Sequence, residues 1–279
     1  MPDFGLNGAT TGEGADLETD IRVAAGAGYQ FLELRDTKIE QYLAAGGSME
    51  TLRSRLHAAN VLPLSVNALE GATPLVPRDL EPRLARMRTL CEWARALGAP
   101  YVVAVPSVLP PEGTPDSYVR MRATVALRAL ASVAGPYGVD VGFEFLGFPR
   151  CAVNSLRAAR GIVEDTGDPR VGLVIDAFHF YAGGSRIEDL DGLDGAQVFV
   201  VHLDDAEPGE PSSLTDAQRL MPGDGVIPLA PLVTRLQAIG YRGAYSLELF
   251  RPEYWAQEPA AVATRGLDSM RRLFAHTEG

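Results

Sequence analysis

Four side chains capable of chemistry interrupt apolar runs in the second half of this 279-residue chain. They are Glu144 in "GFEFLG", Asp176 in "GLVIDAFHFY", His202 in "FVVHLDD" and Glu248 in "SLELF". A lone carboxylate in such surroundings costs several kcal/mol unless pairing or metal coordination offsets it. Three carboxylates brought together also repel one another. A divalent cation removes both difficulties. Three oxygen donors and one imidazole suit Mn, Co, Zn or Mg, with positions left over for substrate. Taken singly, a strand-end carboxylate of this kind is more often salt-bridged than metal-bound. The set points to one divalent metal ion held by Glu144, Asp176, His202 and Glu248.

Other polar residues lie close to the same run ends. His179 follows Asp176 by three positions and is expected to touch substrate, or else to bond a loop. Arg219 lies in the long connection 204–228, and connections of that length without regular structure tend to be functional. It is a candidate for binding substrate oxygens, with a surface role as the alternative. Arg35, Glu33 and Asn67 sit near earlier run ends and are candidates for the pocket wall, or for structural hydrogen bonds. Among 25 Lys plus Arg there is a single lysine, Lys38, in "LRDTKIEQYL". A composition this biased toward arginine would convert an indifferent lysine, so Lys38 is a candidate ammonium donor to substrate. The alternative is a solvated loop residue.

The elements that must position these groups are eight short β-like runs: 4–10, 30–35, 62–69, 101–106, 139–147, 171–179, 197–205 and 244–250. Most are nearly continuous in apolarity, as strands buried on both faces are. Helical stripes separate them near 17–25, 49–59, 80–97, 117–134, 153–163, 229–239 and 260–274, with a weaker one at 185–194. Eight strand–helix units predict an α/β fold, a single (β/α)8 TIM barrel forming one domain over 1–279. The rival doubly wound sheet lacks its phosphate loop: "GLNGATTGEG" contains neither G-x-G-x-x-G nor a Walker lysine. In a barrel, residues at the C-terminal strand ends build the site.

Composition narrows the partners. The chain is 46% hydrophobic and carries a formal net charge of −11 without a basic run, so nucleic acid is not expected as a partner. No apolar run approaches the ~18 residues of a membrane span, and no secretory leader is read at the start. Two cysteines, Cys91 and Cys151, make no disulfide framework, so a cytoplasmic location is expected. The aromatics of "FRPEYW" (250–255) are a candidate subunit contact in a homo-oligomer.

With "DAFH" at 176–179, "RLMPGDG" at 219–225, "NALEG" at 67–71, "YVVAVP" at 101–106 and "ELFRPEYW" at 248–255, the whole chain resembles the xylose isomerase-like barrels of sugar isomerases and epimerases. "ELFRPEYW" in particular resembles the inosose isomerase branch of inositol catabolism. The resemblance implies that Glu144, Asp176, His202 and Glu248 bind the metal and that His179 and Arg219 face substrate. It implies an intramolecular oxidoreductase acting on an α-hydroxyketone sugar or cyclitol, for example 2-keto-myo-inositol to 1-keto-D-chiro-inositol. Glu144 and Glu248, from separated strands, are then assigned the proton transfers of an enediolate mechanism. Alternatives are a ketose 3-epimerase, an inosose dehydratase, a metal-dependent phosphodiester hydrolase of the abasic-site endonuclease kind, and a sugar-binding protein without catalysis.

Overall fold

The computed structural model describes residues 2–107 and 113–275. Eight parallel strands close a barrel: β1 (Phe4–Asn7), β2 (Phe31–Arg35), β3 (Leu62–Leu69), β4 (Tyr101–Ala104), β5 (Asp140–Glu144), β6 (Val171–Asp176), β7 (Val198–Leu203) and β10 (Tyr245–Leu247). β1 pairs with both β2 and β10, which closes the ring. The predicted fold class is the observed one. Helices α1 (Leu17–Ala27), α3 (Met49–Ala58), α4 (Leu80–Leu97), α5 (Asp116–Ala134), α6 (Leu156–Thr166), α8 (Leu229–Ala238) and α10 (Pro259–Ala275) surround it. Their apolar stripes bury against the outer faces of the strands.

Strand alternation decides which residues enter the lumen. Outward-facing Leu173, Ile175 and Val201 join the core shared with the helices. Leu64, Val103, Val174, Val200 and Ala244 form a second, smaller apolar cluster that fills the barrel. Two residues past Val174 is Asp176, two past Val200 is His202, and four past Ala244 is Glu248. The period of two therefore carries the lumen face from an apolar plug to a polar mouth. Gly142, two before Glu144, lies where a Cβ would come 2.8 Å from a methyl of Val174. The lumen is close-packed there, and a side chain at 142 would displace the plug.

Several local expectations differ from the structure. The run 171–179 is strand only to Asp176; Ala177–Ala182 form the short helix α7. One oxygen of Asp176 accepts the His179 backbone N–H at 2.7 Å and caps that helix. The segment after β2 is helix α2 (Asp36–Ala44), so Lys38 is helical rather than on a loop. The weak stripe at 185–194 yields only a 3-10 turn, Ile187–Leu190. The connection 204–228 contains a two-stranded antiparallel ladder, β8 (Asp205–Ala206) with β9 (Arg219–Leu220).

Candidate metal centre and substrate cavity

At the C-terminal mouth, ligand atoms of Glu144, Asp176, His202 and Glu248 all lie within 4.8 Å of one another, and all four residues are buried. His202 orients the cluster. Its Nδ1 is 3.1 Å from Glu144, 3.3 Å from Glu248 and 3.7 Å from Asp176. Its Nε2 faces the other way, 3.0 Å from Glu33 Oε1. Glu33 also accepts the Ser65 hydroxyl at 2.7 Å. Burial pushes Glu33 up, but the charge and hydrogen bond of His202, with the hydroxyls of Ser246 and Ser65, outweigh it and hold Glu33 down at about 2. An ionised Glu33 accepts a hydrogen bond from Nε2–H and keeps that proton on Nε2, so that on deprotonation it is the Nδ1 lone pair that is free for a metal ion. The donor set fits: three carboxylate oxygens and one imidazole nitrogen converge on one point, and the cluster can hold one divalent ion.

Without a cation the cluster balances its charge internally. Burial alone would lower His202; Glu248, Glu33 and Glu144 raise it well above the ordinary imidazole value. Burial raises Glu144 to about 7, against His202 and with help from Glu248 and Asp176. Burial would also raise Asp176, but Arg219, His179 and His202 hold it well below the carboxylate range.

Arg219 is buried to 1% exposure. It ion-pairs with Asp176 at 2.5 Å, with Asp204, and with Asp216 at 2.9 Å. Its guanidinium packs on the rings of Phe178 and Phe250. Its Nη2 donates to His179 Nε2 at 3.1 Å. A guanidinium has no acceptor, so His179 Nε2 accepts and its proton sits on Nδ1. That Nδ1 is buried with no partner among the described residues, and His179 lines the cavity. Burial keeps the imidazole neutral by lowering its pKa. His179 thus carries a buried N–H donor without a partner among the described residues.

Sequence reasoning missed the residues that tie these groups down. Asn7 donates to Glu248 Oε1 at 2.8 Å and to Glu33 at 3.3 Å, bridging the barrel seam. Asp204 accepts the Phe178 N–H at 2.8 Å and pairs Arg219; burial and the nearby Asp176 push its carboxyl well up. Asp205 accepts backbone N–H bonds from Ala206, Gly223, Gly225 and Ile227 at 2.8–3.1 Å, which pins the loop carrying Arg219. The acidic pair in "VHLDD" followed by "PGDG" was the available signal.

The cavity above the cluster is about 720 Å³ and is lined by Glu144, His179, Arg219 and Glu248 on one side. Arg35 and Asn67 line it on the other. Arg35 donates to Asn67 Oδ1 at 2.7 Å, and the Asn67 amide reaches Glu248 Oε1 at 3.5 Å. Lys38 does not line this cavity. Its ammonium donates to the Gly8 carbonyl at 2.8 Å, to Thr11 at 2.9 Å and to Asp20 at 3.0 Å. Those bonds use its three donors, so the expected substrate contact is corrected to a buried structural ion pair.

A family model described as Xylose isomerase-like TIM barrel matches residues 21–273, and the chain belongs to that family. Within it, the chain is 38% identical over 250 residues to an inosose isomerase of Halalkalibacterium halodurans, covering 89% of this chain and 88% of that one. It is 36% identical over 251 residues to an inosose isomerase of Bacillus subtilis, covering 90% of each. The crystal structure of the IOLI protein with a binding zinc atom superposes with a TM-score of 0.94 at 32% identity, over 99% of both chains.

Proposed function

We propose that this protein is a divalent-metal-dependent inosose isomerase that converts 2-keto-myo-inositol to 1-keto-D-chiro-inositol. The observation that carries the reading is the convergence of Glu144, Asp176, His202 Nδ1 and Glu248 beside a cavity, in a chain similar to an inosose isomerase over 89% of its length and 88% of that protein's. A metal ion bound by these four residues would polarise the ketone and its neighbouring hydroxyl and cancel the repulsion among the carboxylates.

The chain's own residues do the rest. Glu144 ends β5 and Glu248 follows β10, on either side of β6 and β7 in the barrel order, so the two carboxylates flank the space above the cluster. One removes the proton from the carbinol carbon, a proton is returned to the former ketone carbon, and the hydroxyl proton passes from the carbinol oxygen to the former ketone oxygen. Return to the other face of the same carbon would instead be epimerisation. Asn7 and Asn67 steady one oxygen of Glu248. In this reading His179, which lines the cavity, donates to a substrate oxygen, and Arg219 holds its tautomer.

The substrate of this reading is a small neutral ketone rather than a nucleic acid, in keeping with the net charge of −11. No helix among the described residues is long and apolar enough to cross a membrane; the reading places the enzyme in the cytoplasm, acting as one barrel unit. The segment 250–255 is its candidate self-association surface, to be checked by light scattering. Chelation should abolish isomerisation of a panel of inososes, and added Mn²⁺ or Co²⁺ should restore it. Full activity in protein shown to be metal-free by elemental analysis would refute the proposal.

A further inference from the structure

The cavity has a second polar wall. β3 and β4 lie across the barrel from β7 and β10, so a ring whose reacting carbons sit between Glu144 and Glu248 turns its far edge toward them. Arg83, in the first turn of α4, and Ser107, just past β4, stand on that wall. Arg83 Nε donates to the Gly71 carbonyl at 3.0 Å, which fixes the plane of the guanidinium against main chain. Gly71 has φ +61, and a Cβ there would lie 3.1 Å from Arg83 Nη2 and 3.4 Å from Ser107 Oγ. A bare glycine therefore leaves the guanidinium edge and the hydroxyl adjacent and uncovered at the cavity surface.

Arg83 differs from Arg219, which lines the same cavity. Arg219 is engaged by Asp176, Asp204 and Asp216. Among the described residues no carboxylate ion-pairs with Arg83, and its only hydrogen bond runs through Nε. Among the described residues neither Nη group has a partner, and the two form a planar fork. Such a fork donates two parallel N–H bonds to a pair of adjacent oxygens, a geometry a lysine does not reproduce.

We propose that Arg83, assisted by Ser107, is a specificity-determining residue that binds a vicinal pair of hydroxyls on the edge of the cyclitol ring away from the carbonyl. The proposal rests on the isomerase reading for the identity of the ring, and on the anchored, uncovered fork for the contact.

Arg83→Met keeps the aliphatic stem and removes the fork. In the manganese-loaded enzyme it should raise KM for 2-keto-myo-inositol roughly tenfold or more, as loss of charge-assisted hydrogen bonds does. It should leave kcat within about twofold, because the contact is remote from the reacting carbons. Metal content should not change, and Arg83→Lys should recover only part of the loss. A deoxy-inosose lacking a hydroxyl opposite the carbonyl should be a poor substrate for wild type, while Arg83→Met should treat the two ketones alike. Ser107→Ala should shift KM and selectivity in the same direction by less, which keeps the test usable should Arg83→Met fold poorly. Wild-type KM and undiminished selectivity in both variants would overturn the assignment. Should wild type turn over neither ketone, the isomerase reading falls, and calorimetric binding of 2-keto-myo-inositol still decides: weaker binding by Arg83→Met supports the fork, and equal binding refutes it.

Discussion

Glu33 and His202, 169 positions apart in sequence, meet inside the barrel with Glu33 oxygens 3.0 and 3.3 Å from the imidazole Nε2. The contact fixes which ring nitrogen looks at the other three ligands. Nε2 is turned to Glu33, and Nδ1 is turned to Glu144, Asp176 and Glu248. A residue of β2 thereby sets the donor atom of a residue of β7.

Glu33→Gln replaces an acceptor pair with an amide that can itself donate to Nε2. The imidazole proton would then move to Nδ1, where it competes with the metal ion. Loss of such an outer partner typically costs about 10–100-fold in metal affinity. Competition with a chelating indicator measures it. Wild-type affinity in the variant would show that Glu33 does not set the tautomer.

Metal binding should release protons. In the metal-free protein His202 is held charged by its carboxylate neighbours and Glu144 is raised to about 7. Both must be deprotonated to act as ligands. Apparent affinity should therefore already fall with falling pH at neutrality, because of His202, and fall more steeply below about 7, where Glu144 also takes a proton; the calorimetric enthalpy at neutral pH should vary with the ionisation enthalpy of the buffer. Glu144→Gln should remove one of the released protons. A buffer-independent enthalpy would contradict the account.

Lys38 and Asp20 form a buried pair, 4% and 0% exposed. Burial raises Asp20 to about 6, with Lys38 and Thr11 opposing. A carboxylate raised in the folded state contributes stability that is full below its ordinary pKa of 3.8 and is lost as the pH rises through about 6. Lys38→Met removes the compensating charge, so it should cost about 3–5 kcal/mol. The deficit should be larger at pH 8, where Asp20 is driven to ionise alone, than at pH 5. Lys38→Arg should also lower Tm, because a planar guanidinium replaces a compact three-donor ammonium in a closed site. KM for substrate in the surviving folded protein should stay near wild type. An unchanged Tm in Lys38→Met would remove the structural role.

Much of this site was legible because charge inside an apolar run is costly and therefore informative. Glu144, Asp176, His202 and Glu248 each break such a run, and the structure brings their ligand atoms together. Strand boundaries were less legible. Asp176 ends β6 by capping α7 with one oxygen while the other faces His202, a double use that no periodicity reveals. Asn7 and Glu33 meet Glu248 and His202 only because the barrel closes β1 onto β10 and stacks β2 against the lumen. Lys38 was legible as unusual, but its partner Asp20 lies on α1, and nothing in the local sequence pairs the two helices.

Glu248→Gln and Glu144→Gln should each depress kcat far more than they raise KM, since the lost proton transfer belongs to the transition state. General acid–base residues typically contribute about 10²–10⁴-fold. Metal occupancy must be measured in the same samples, because both residues are also proposed ligands. A variant with full occupancy and near-normal kcat would take that residue out of the proton-transfer role.

The central claim is that this metal centre moves a carbonyl along a cyclitol ring. Incubation of the manganese-loaded protein with 2-keto-myo-inositol in D₂O, followed by NMR, tests it most directly. The account predicts conversion to 1-keto-D-chiro-inositol, with solvent deuterium entering at the carbon that loses its carbonyl. An unchanged ketone, recovered without deuterium from protein of confirmed metal occupancy, would contradict it.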